Sequence, residues 1–429
     1  MLQTLFHIPS RVAGVPLFGS GLLLVLWGFF ALLLMFRLVR RQGFCADTWS
    51  YLPLVLIVAA VLWKVAPALC DAKGLPIRGY GVMILTAVVA GTALVVRRAR
   101  RVGLESEFAF ALAFWMCLPG FLGARILYVA KNWSEQYWPV YKDPNGGTAA
   151  LLTAMVNVAQ GGLVVYGALL GGLVGLLLFY RKYRMPLLAS ADLVAPSLAL
   201  GLALGRIGCL LNGCCFGDLC ESPWGLKFPA GSPPYSSQVA RGVFWGLVLS
   251  EEPTAKPIVS AVEPGSPAAL AGLHGGDHLA NINGRVVQWA GDAHVLFGQC
   301  FEQREGPVLE LVDGRFVRLP TIEPPSWSRP IHPTQIYAAI SAFLLCLVLL
   351  AWDPFCRRDG QLFALMLTLY PIARFLEETI RTDETSFLGT GLHISQNISL
   401  LILLCVIGLW IYIGRQPPGR AWEARQYAR

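Results

Sequence analysis

Apolar runs close to 20 residues long alternate with short polar breaks along most of this chain. Nine can be read, at about 17–36, 51–70, 80–97, 107–128, 161–180, 188–209, 334–352, 361–379 and 396–414. A helix rising 1.5 Å per residue needs roughly 20 such residues to cross a hydrocarbon layer about 30 Å thick. The second run is interrupted by Lys64 and Pro67 and is the least regular. The rhythm stops between the sixth and seventh runs, where about 210–333 reads largely as soluble chain. Within it, Ser266 and Pro267 fit the cap and first position of a short helix ending at Gly272, and Asn283-Gly284 fits a hairpin turn. The pattern predicts an all-α polytopic membrane protein of about nine transmembrane helices, with a small α+β domain inserted on one face.

Composition agrees, and charge orients the chain. The 429 residues are 55% hydrophobic and 14% charged, with a mean hydropathy of +0.57; soluble domains are about a quarter charged. Basic clusters follow every odd-numbered run: Arg37, Arg40 and Arg41; Arg97, Arg98, Arg100 and Arg101; Arg181, Lys182 and Arg184; Arg357 and Arg358; Arg415, Arg420, Arg425 and Arg429. The positive-inside rule makes those ends cytoplasmic, so the N-terminus lies outside, the C-terminus inside and the inserted domain outside. These flanks account for the net charge of +8 without a single basic patch, so nucleic acid is not an expected partner. No basic segment precedes the first run and no small-residue cleavage site follows it, so a signal peptide is not expected.

Two further patterns concern packing. Pro16, Gly19, Gly21, Arg40, Arg41 and Gly43 recur 60 residues later as Pro76, Gly79, Gly81, Arg100, Arg101 and Gly103, which suggests a duplicated helix ending in a basic loop. Glycines 167, 171 and 175, and 201 and 205, give small-residue stripes suited to close helix contact.

The chemistry gathers at the predicted outer ends of the runs. Tyr370, Arg374 and Glu378, four residues apart, share one helix face inside an apolar run. Ionisable groups at that depth are costly, so they point to function. Arg206, Asn212 and Gly217 end the sixth run, His332 opens the seventh, Arg381 follows the eighth, and Tyr80, Arg125 and Tyr166 belong to the third, fourth and fifth. Arginines converging in an apolar cavity suit a phosphate, which guanidinium grips with two parallel bonds, and a lipid headgroup is the phosphate found there. The structural alternative is that Arg206 and Arg374 pair with Glu378 and backbone carbonyls only. His332 is placed either as a base near neutral pH or as the cap of its helix, with Pro333 in the first turn. Cys209, Cys214, Cys215 and Cys220 form the one cysteine cluster, spaced unlike usual zinc sites. On an oxidising face a structural disulfide is the expectation there.

Six strings carry a resemblance: LPIRGYGVM, GARILYV, GGLVVYGALLGG, GRIGCLLNGCCFG, HPTQIY and Y-x-x-x-R-F-x-x-E-x-x-R, in that order. Across about 75–250 and 322–416 the chain resembles the prolipoprotein diacylglyceryl transferases of bacterial inner membranes. About 255–320 resembles PDZ domains through its PGSPA-x-x-AGL-x-x-GD string, with Gly246-Leu247-Val248 as the nearest match to their carboxylate-binding loop. The implied layout is two additional spans in 1–74, a transferase core in 75–250 and 322–416, a PDZ-like insert in 251–321 and a cytoplasmic tail in 417–429. The implied reaction moves diacylglyceryl from phosphatidylglycerol to the lipobox cysteine of a prolipoprotein signal peptide, releasing glycerol phosphate. That is the first step of lipoprotein maturation, and it requires no metal or organic cofactor. By motif, Arg374, Tyr370, Glu378, His332 and Tyr166 are the expected catalytic positions. Arg206, Arg374, Asn212, Gly217, Tyr80, Arg381 and Arg125 are the expected phosphate-binding ones. Tyr166 stands where the family often has His, Cys209 where it has Asn, Cys214 and Ala338 where it has Glu. The base is therefore open among His332, Tyr166 or another group.

Two other classes compete. A PDZ-like domain between spans suggests an intramembrane protease, but none of the six histidines sits in a His-Glu-x-x-His string. An anion or lipid transporter would also use buried arginines. Polar groups collected at one face fit a lateral lipid site better than a through-path.

Overall fold

The computed structural model describes residues 3–12, 14–43, 52–142, 147–156, 164–250, 256–380 and 392–421. The chain divides into two compact units, Leu2–Val82 with Ala99–Leu187, and Met83–Arg98 with Leu188–Arg429. It is mostly helical, and among the described residues six helices are long and apolar enough to cross a membrane.

The first unit opens with β1 (Thr4–Ile8) and the hairpin of β2 (Arg11–Val12) and β3 (Val15–Pro16). α1 (Leu22–Gln42) follows, then α2 (Leu52–Ala60), which runs on through a widened turn at Val61–Val65 to Ala68. β4 (Leu75–Arg78) returns antiparallel to β1 and leads into α3 (Gly79–Arg101). Both copies of the sequence repeat thus place short strands before a helix. Gly43 and Gly103 follow their helices in the left-handed region, each with φ of 75°. The copies are not exact, since α1 starts at Leu22 and α3 at Gly79, 57 residues on.

α4 (Ser106–Lys131), α5 (Gly147–Val156) and α6 (Val165–Tyr183) complete that unit. The 167/171/175 glycine stripe works as expected. A Cβ on Gly167 would collide with the Gly123 carbonyl, one on Gly171 with that of Pro119, and one on Gly175 with that of Trp115. The α4 and α6 backbones are therefore in contact, which only small residues permit. The second stripe does not behave this way. Gly201 faces open space and Gly205 meets only the tip of Ile84, at 3.9 Å, because no backbone approaches that face.

In the second unit α7 (Leu187–Asn212) is the central helix, with 61% of its apolar window buried against 6% for α1. α8 (Pro233–Ala240), β5 (Leu247–Leu249), β6 (Val259–Val262), β7 (Leu279–Ile282), β8 (Arg285–Val286), α9 (Ala290–Gln303), β9 (Val308–Leu311) and β10 (Phe316–Arg318) build the inserted domain. α10 (Thr334–Trp352), α11 (Gln361–Glu378) and α12 (Ile394–Arg415) then complete the bundle. Ala195, Ala199, Leu345, Leu349, Leu362 and Met366 hold α7, α10 and α11 in one apolar cluster. The bundle instead exposes Ile340, Leu344, Leu401 and Leu404, the mark of an apolar solvent. The six long helices exclude α2, α6 and α11, where the sequence also predicts spans. α2 has nine residues, the described side chains of α6 run only from Gly167 to Tyr183, and α11 carries Arg374, Glu377 and Glu378 within its 18 residues.

The inserted domain has its own core of Trp245, Leu247, Leu249, Phe297, Leu309 and Leu319, which also takes in Tyr235 and Val239 from α8, upstream of residue 251. Its sheet runs β10-β9-β7-β8, with β5 pairing β6 separately. The expected local signals appear. The Ser266 hydroxyl accepts the Ala269 N–H at 3.2 Å with Pro267 in the first turn, and Asn283 and Gly284 both take positive φ between β7 and β8. β5 has no open edge: its outward N–H groups donate to the chain's own Gly242 and Arg241 carbonyls, Leu247 at 3.4 Å and Leu249 at 3.0 Å. The domain begins and ends beside itself, because Leu219 and Leu226 both bridge Ile331 and Pro229 bridges Trp327.

Candidate active site

α7 ends because Gly213 takes φ of 79° and turns its N–H back to the Cys209 carbonyl at 2.8 Å, a glycine stop. The loop that follows carries Cys214, Cys215 and Gly217 and is sewn to the start of α10. Gln335 Nε2 donates to the Cys214 carbonyl at 2.7 Å, and Thr334 Oγ1 to the Cys215 carbonyl at 2.6 Å. The Gly217 N–H donates to the His332 carbonyl at 3.0 Å and the His332 N–H to that of Asp218 at 2.9 Å. The Asp218 N–H reaches the Ile380 carbonyl just past α11, at 3.3 Å. Glycine is required at this junction, since a Cβ on Gly217 would lie 2.8 Å from His332 Cβ, 2.9 Å from Thr334 Cγ2 and 3.0 Å from the Ile380 oxygen. Three of the quoted strings therefore meet at one point.

Arg374 stands six residues before Ile380 and Arg206 seven before Gly213. At 1.5 Å per residue both lie about 10 Å below the junction. Arg374 Nη1 is 2.5 Å from Glu378 Oε2, and Glu378 is fully buried. Its Nη2 donates to Ser395 Oγ at 3.1 Å, at the start of α12. The i, i+4 spacing read from the sequence thus makes an ion pair, and Glu378 holds the guanidinium in place. Tyr370, one turn earlier, packs on the apolar cluster of α7, α10 and α11. Arg206 and Asn212 are half-buried on α7.

His332 does not cap α10. Pro333 occupies the cap position and Thr334 begins the helix, so the His332 ring is left to approach Tyr337, with Nδ1 3.4 Å from the hydroxyl. Arg125, expected at phosphate, donates from Nε to the Met155 carbonyl at 2.7 Å and from Nη2 to that of Ala154 at 3.0 Å, closing the end of α5. Tyr80 is partly exposed in the first turn of α3. Arg125, Tyr80 and Tyr166 belong to the first unit. Arg381 lies outside the described residues, as does the Tyr166 side chain. The expected disulfide is not formed: no bridge joins the cysteines among the described residues. Cys209, Cys214 and Cys215 instead bring their sulfurs within 4.8 Å of one another, because the Gly213 turn folds the loop back over the last turn of α7.

Several participants were missed from sequence. Ser395 and Gln335 sit among ordinary helix-start residues. Asp192 had a signal, an acid inside an apolar run, and it organises the opposite end of the bundle. It accepts the N–H groups of Gly360 at 2.7 Å and Phe363 at 2.8 Å. Beside it Arg98 donates to the carbonyls of Asp192 and Leu193, at 2.7 and 2.6 Å, and to Asp353 Oδ2 at 2.7 Å. Arg420 donates to Asp353 Oδ1 at 2.9 Å. Arg98 is thus buried structure and not a solvated flank.

The model of the family described as prolipoprotein diacylglyceryl transferase matches residues 67–412. The chain belongs to that family. It is 32% identical to the phosphatidylglycerol–prolipoprotein diacylglyceryl transferase of Rhodopirellula baltica, over 94% of this chain and 87% of that protein. It is 25% identical to the enzyme of the same name from Clostridium tetani, over 81% of this chain and 96% of that one. The match to the Synechococcus elongatus enzyme is 34% over 42% of this chain and 58% of that protein. This is a multi-pass membrane protein of a bacterial enzyme family.

Proposed function

We infer that the chain transfers the diacylglyceryl group of phosphatidylglycerol to the lipobox cysteine of prolipoproteins, forming a thioether and releasing glycerol phosphate. The observation that carries this reading is Arg374, fixed between buried Glu378 and Ser395 below the Gly217 junction, in a chain of this family. Arg206 and Arg374 hold the phosphate and stabilise the charge that grows on it as the glycerol carbon–oxygen bond breaks. Tyr370 adds a hydrogen bond to the same oxygens, and Glu378 keeps the Arg374 fork aimed. Asn212 and Gly217 belong to the headgroup site, to which motif alone also assigns Tyr80 and Arg381. Arg125 acts locally, on α5. His332 or Tyr166 takes the thiol proton unless another group does. Holding the thiol and the glycerol carbon together in a water-poor site supplies much of the remaining acceleration.

α2, α6 and α11 complete nine membrane segments, with the N-terminus and the inserted domain extracytoplasmic and the C-terminus cytoplasmic, in the inner membrane. The insert is a PDZ-like domain whose strand-adding edge is taken by Arg241 and Gly242. It therefore works as a spacer over the site and does not clamp peptides by β-addition.

The test is transfer of labelled diacylglyceryl from phosphatidylglycerol to a lipobox peptide by detergent-solubilised protein. Wild type transfers and Arg374→Ala does not. Transfer at the wild-type rate by Arg374→Ala removes the assignment.

A further inference from the structure

We propose that Cys209, Cys214 and Cys215 form a three-thiolate zinc site whose open fourth position takes the lipobox thiol and delivers it as the nucleophile. The inference rests on the transferase reading above.

The three sulfurs lie within 4.8 Å of one another. Sulfurs bound tetrahedrally to one Zn²⁺ at about 2.3 Å stand about 3.8 Å apart, so the three need to close by no more than about 1 Å. Three protein ligands and one open position make the pattern of a catalytic zinc, whereas structural sites use four. All three cysteines are half-buried, which leaves room for a fourth ligand.

The backbone is arranged for this cluster. Cys209 sits in the last turn of α7, and the Cys214 thiol lies over the Cys209 carbonyl at 3.8 Å. Cys215 takes φ of 59°, a left-handed conformation that is unfavourable for a residue with a side chain and is kept where surroundings impose it. The Gln335 and Thr334 side chains impose it here, through the carbonyls of Cys214 and Cys215.

The position suits the reaction. Cys209 is three residues after Arg206, so the two share a face of α7, and Gly217 and His332 are on the same loop junction. Thiol alkylation needs a thiolate, because the thiol is a poor nucleophile. A thiol that coordinates a metal is deprotonated outright. In the step proposed, each ligating thiol, including the substrate's, releases its proton to solvent. The substrate sulfur pair then forms the bond to the glycerol carbon, the carbon–oxygen bond breaks with its pair going to the phosphate oxygen, and the thioether leaves the metal. No oxidant or reductant is consumed.

The full chain in detergent, stripped of metal and titrated with Co²⁺ in place of Zn²⁺, tests this. We expect one cobalt per chain with tetrahedral thiolate bands, a change in those bands on adding lipobox peptide, and none with the Cys-to-Ser peptide. Cys209→Ser and Cys214→Ser should each weaken uptake at least tenfold, while Cys300→Ser in the insert leaves it unchanged. Bound Zn²⁺ should also shield the three thiols of wild-type protein from alkylation, a readout that needs no variant. Uptake that persists in the triple serine variant, alkylation unaffected by zinc, or bands indifferent to the peptide each overturn the inference. So does full transfer by metal-free protein, which leaves the transferase reading standing. Absence of transfer with zinc present is instead the failure of that reading.

Discussion

Arg98 and Arg374 are both buried arginines on apolar helices, yet they close opposite ends of the same bundle in different ways. Arg98 spends its donors on two backbone carbonyls and on Asp353, which also receives Arg420. With Asp192 beside them, these groups form a cross-braced end. Arg374 is held by Glu378 on its own helix and by the Ser395 hydroxyl at the start of α12, beneath a loop junction that admits no Cβ. A charge at membrane depth is thus not functional by virtue of depth alone. Where its hydrogen bonds go, and what lies above it, decide the matter.

The largest effect that would sharpen this contrast is on transfer. Arg374→Ala should lower the rate about 10²–10³-fold, the scale of losing one preorganised donor to a developing anion. The double variant Arg374→Ala/Glu378→Gln should regain melting temperature, since no buried carboxylate is orphaned, but not transfer. Arg98→Ala should do the reverse. Breaking a buried pair costs about 3–5 kcal/mol, so folded yield falls while transfer per folded molecule stays near wild type. Inactive but fully folded Arg98→Ala would break the comparison. Gly217→Ala should cost about 1–3 kcal/mol by forcing apart His332, Thr334 and Ile380, with a roughly tenfold slower transfer if that strain falls on the active arrangement. Asp192→Asn keeps one acceptor oxygen but sets an NH2 donor against the second N–H, and should cost about 1–3 kcal/mol of stability alone, read as a shifted unfolding midpoint. Ser395→Ala, the mildest, removes one hydrogen bond worth about 1 kcal/mol and should slow transfer a few-fold.

How much of this was legible in the sequence depended on how local the cause was. The Arg374–Glu378 pair follows from helical spacing, and the Ser266 cap and Asn283-Gly284 turn from short-range chemistry, so all three appeared as read. The 167/171/175 stripe was legible because a helix contact needs only one periodic face. The 201/205 stripe failed because the same pattern says nothing about whether a partner approaches. The role of Gly217 depends on His332, 115 residues away, and on Ile380, 163 away. The motif marked the position, but only the fold gives the reason. Arg98 was grouped with its neighbours as a topogenic charge because the carboxylate it meets, Asp353, is 255 residues distant. Sulfur proximity was likewise hidden, since an oxidising face suggested a bridge while the Gly213 turn set the three thiols side by side.

The isolated bridges of Leu219 and Leu226 to Ile331 pinch the chain together where the inserted domain departs and returns. Both feet of a hundred-residue excursion are therefore anchored next to each other, independent of what is built between them. Such a doorway lets a module be swapped, enlarged or deleted without altering the distance that the catalytic loops must span. Evolution, or an engineer replacing residues 233–322 with a short linker, can edit the outer architecture while the chemistry beneath keeps its frame.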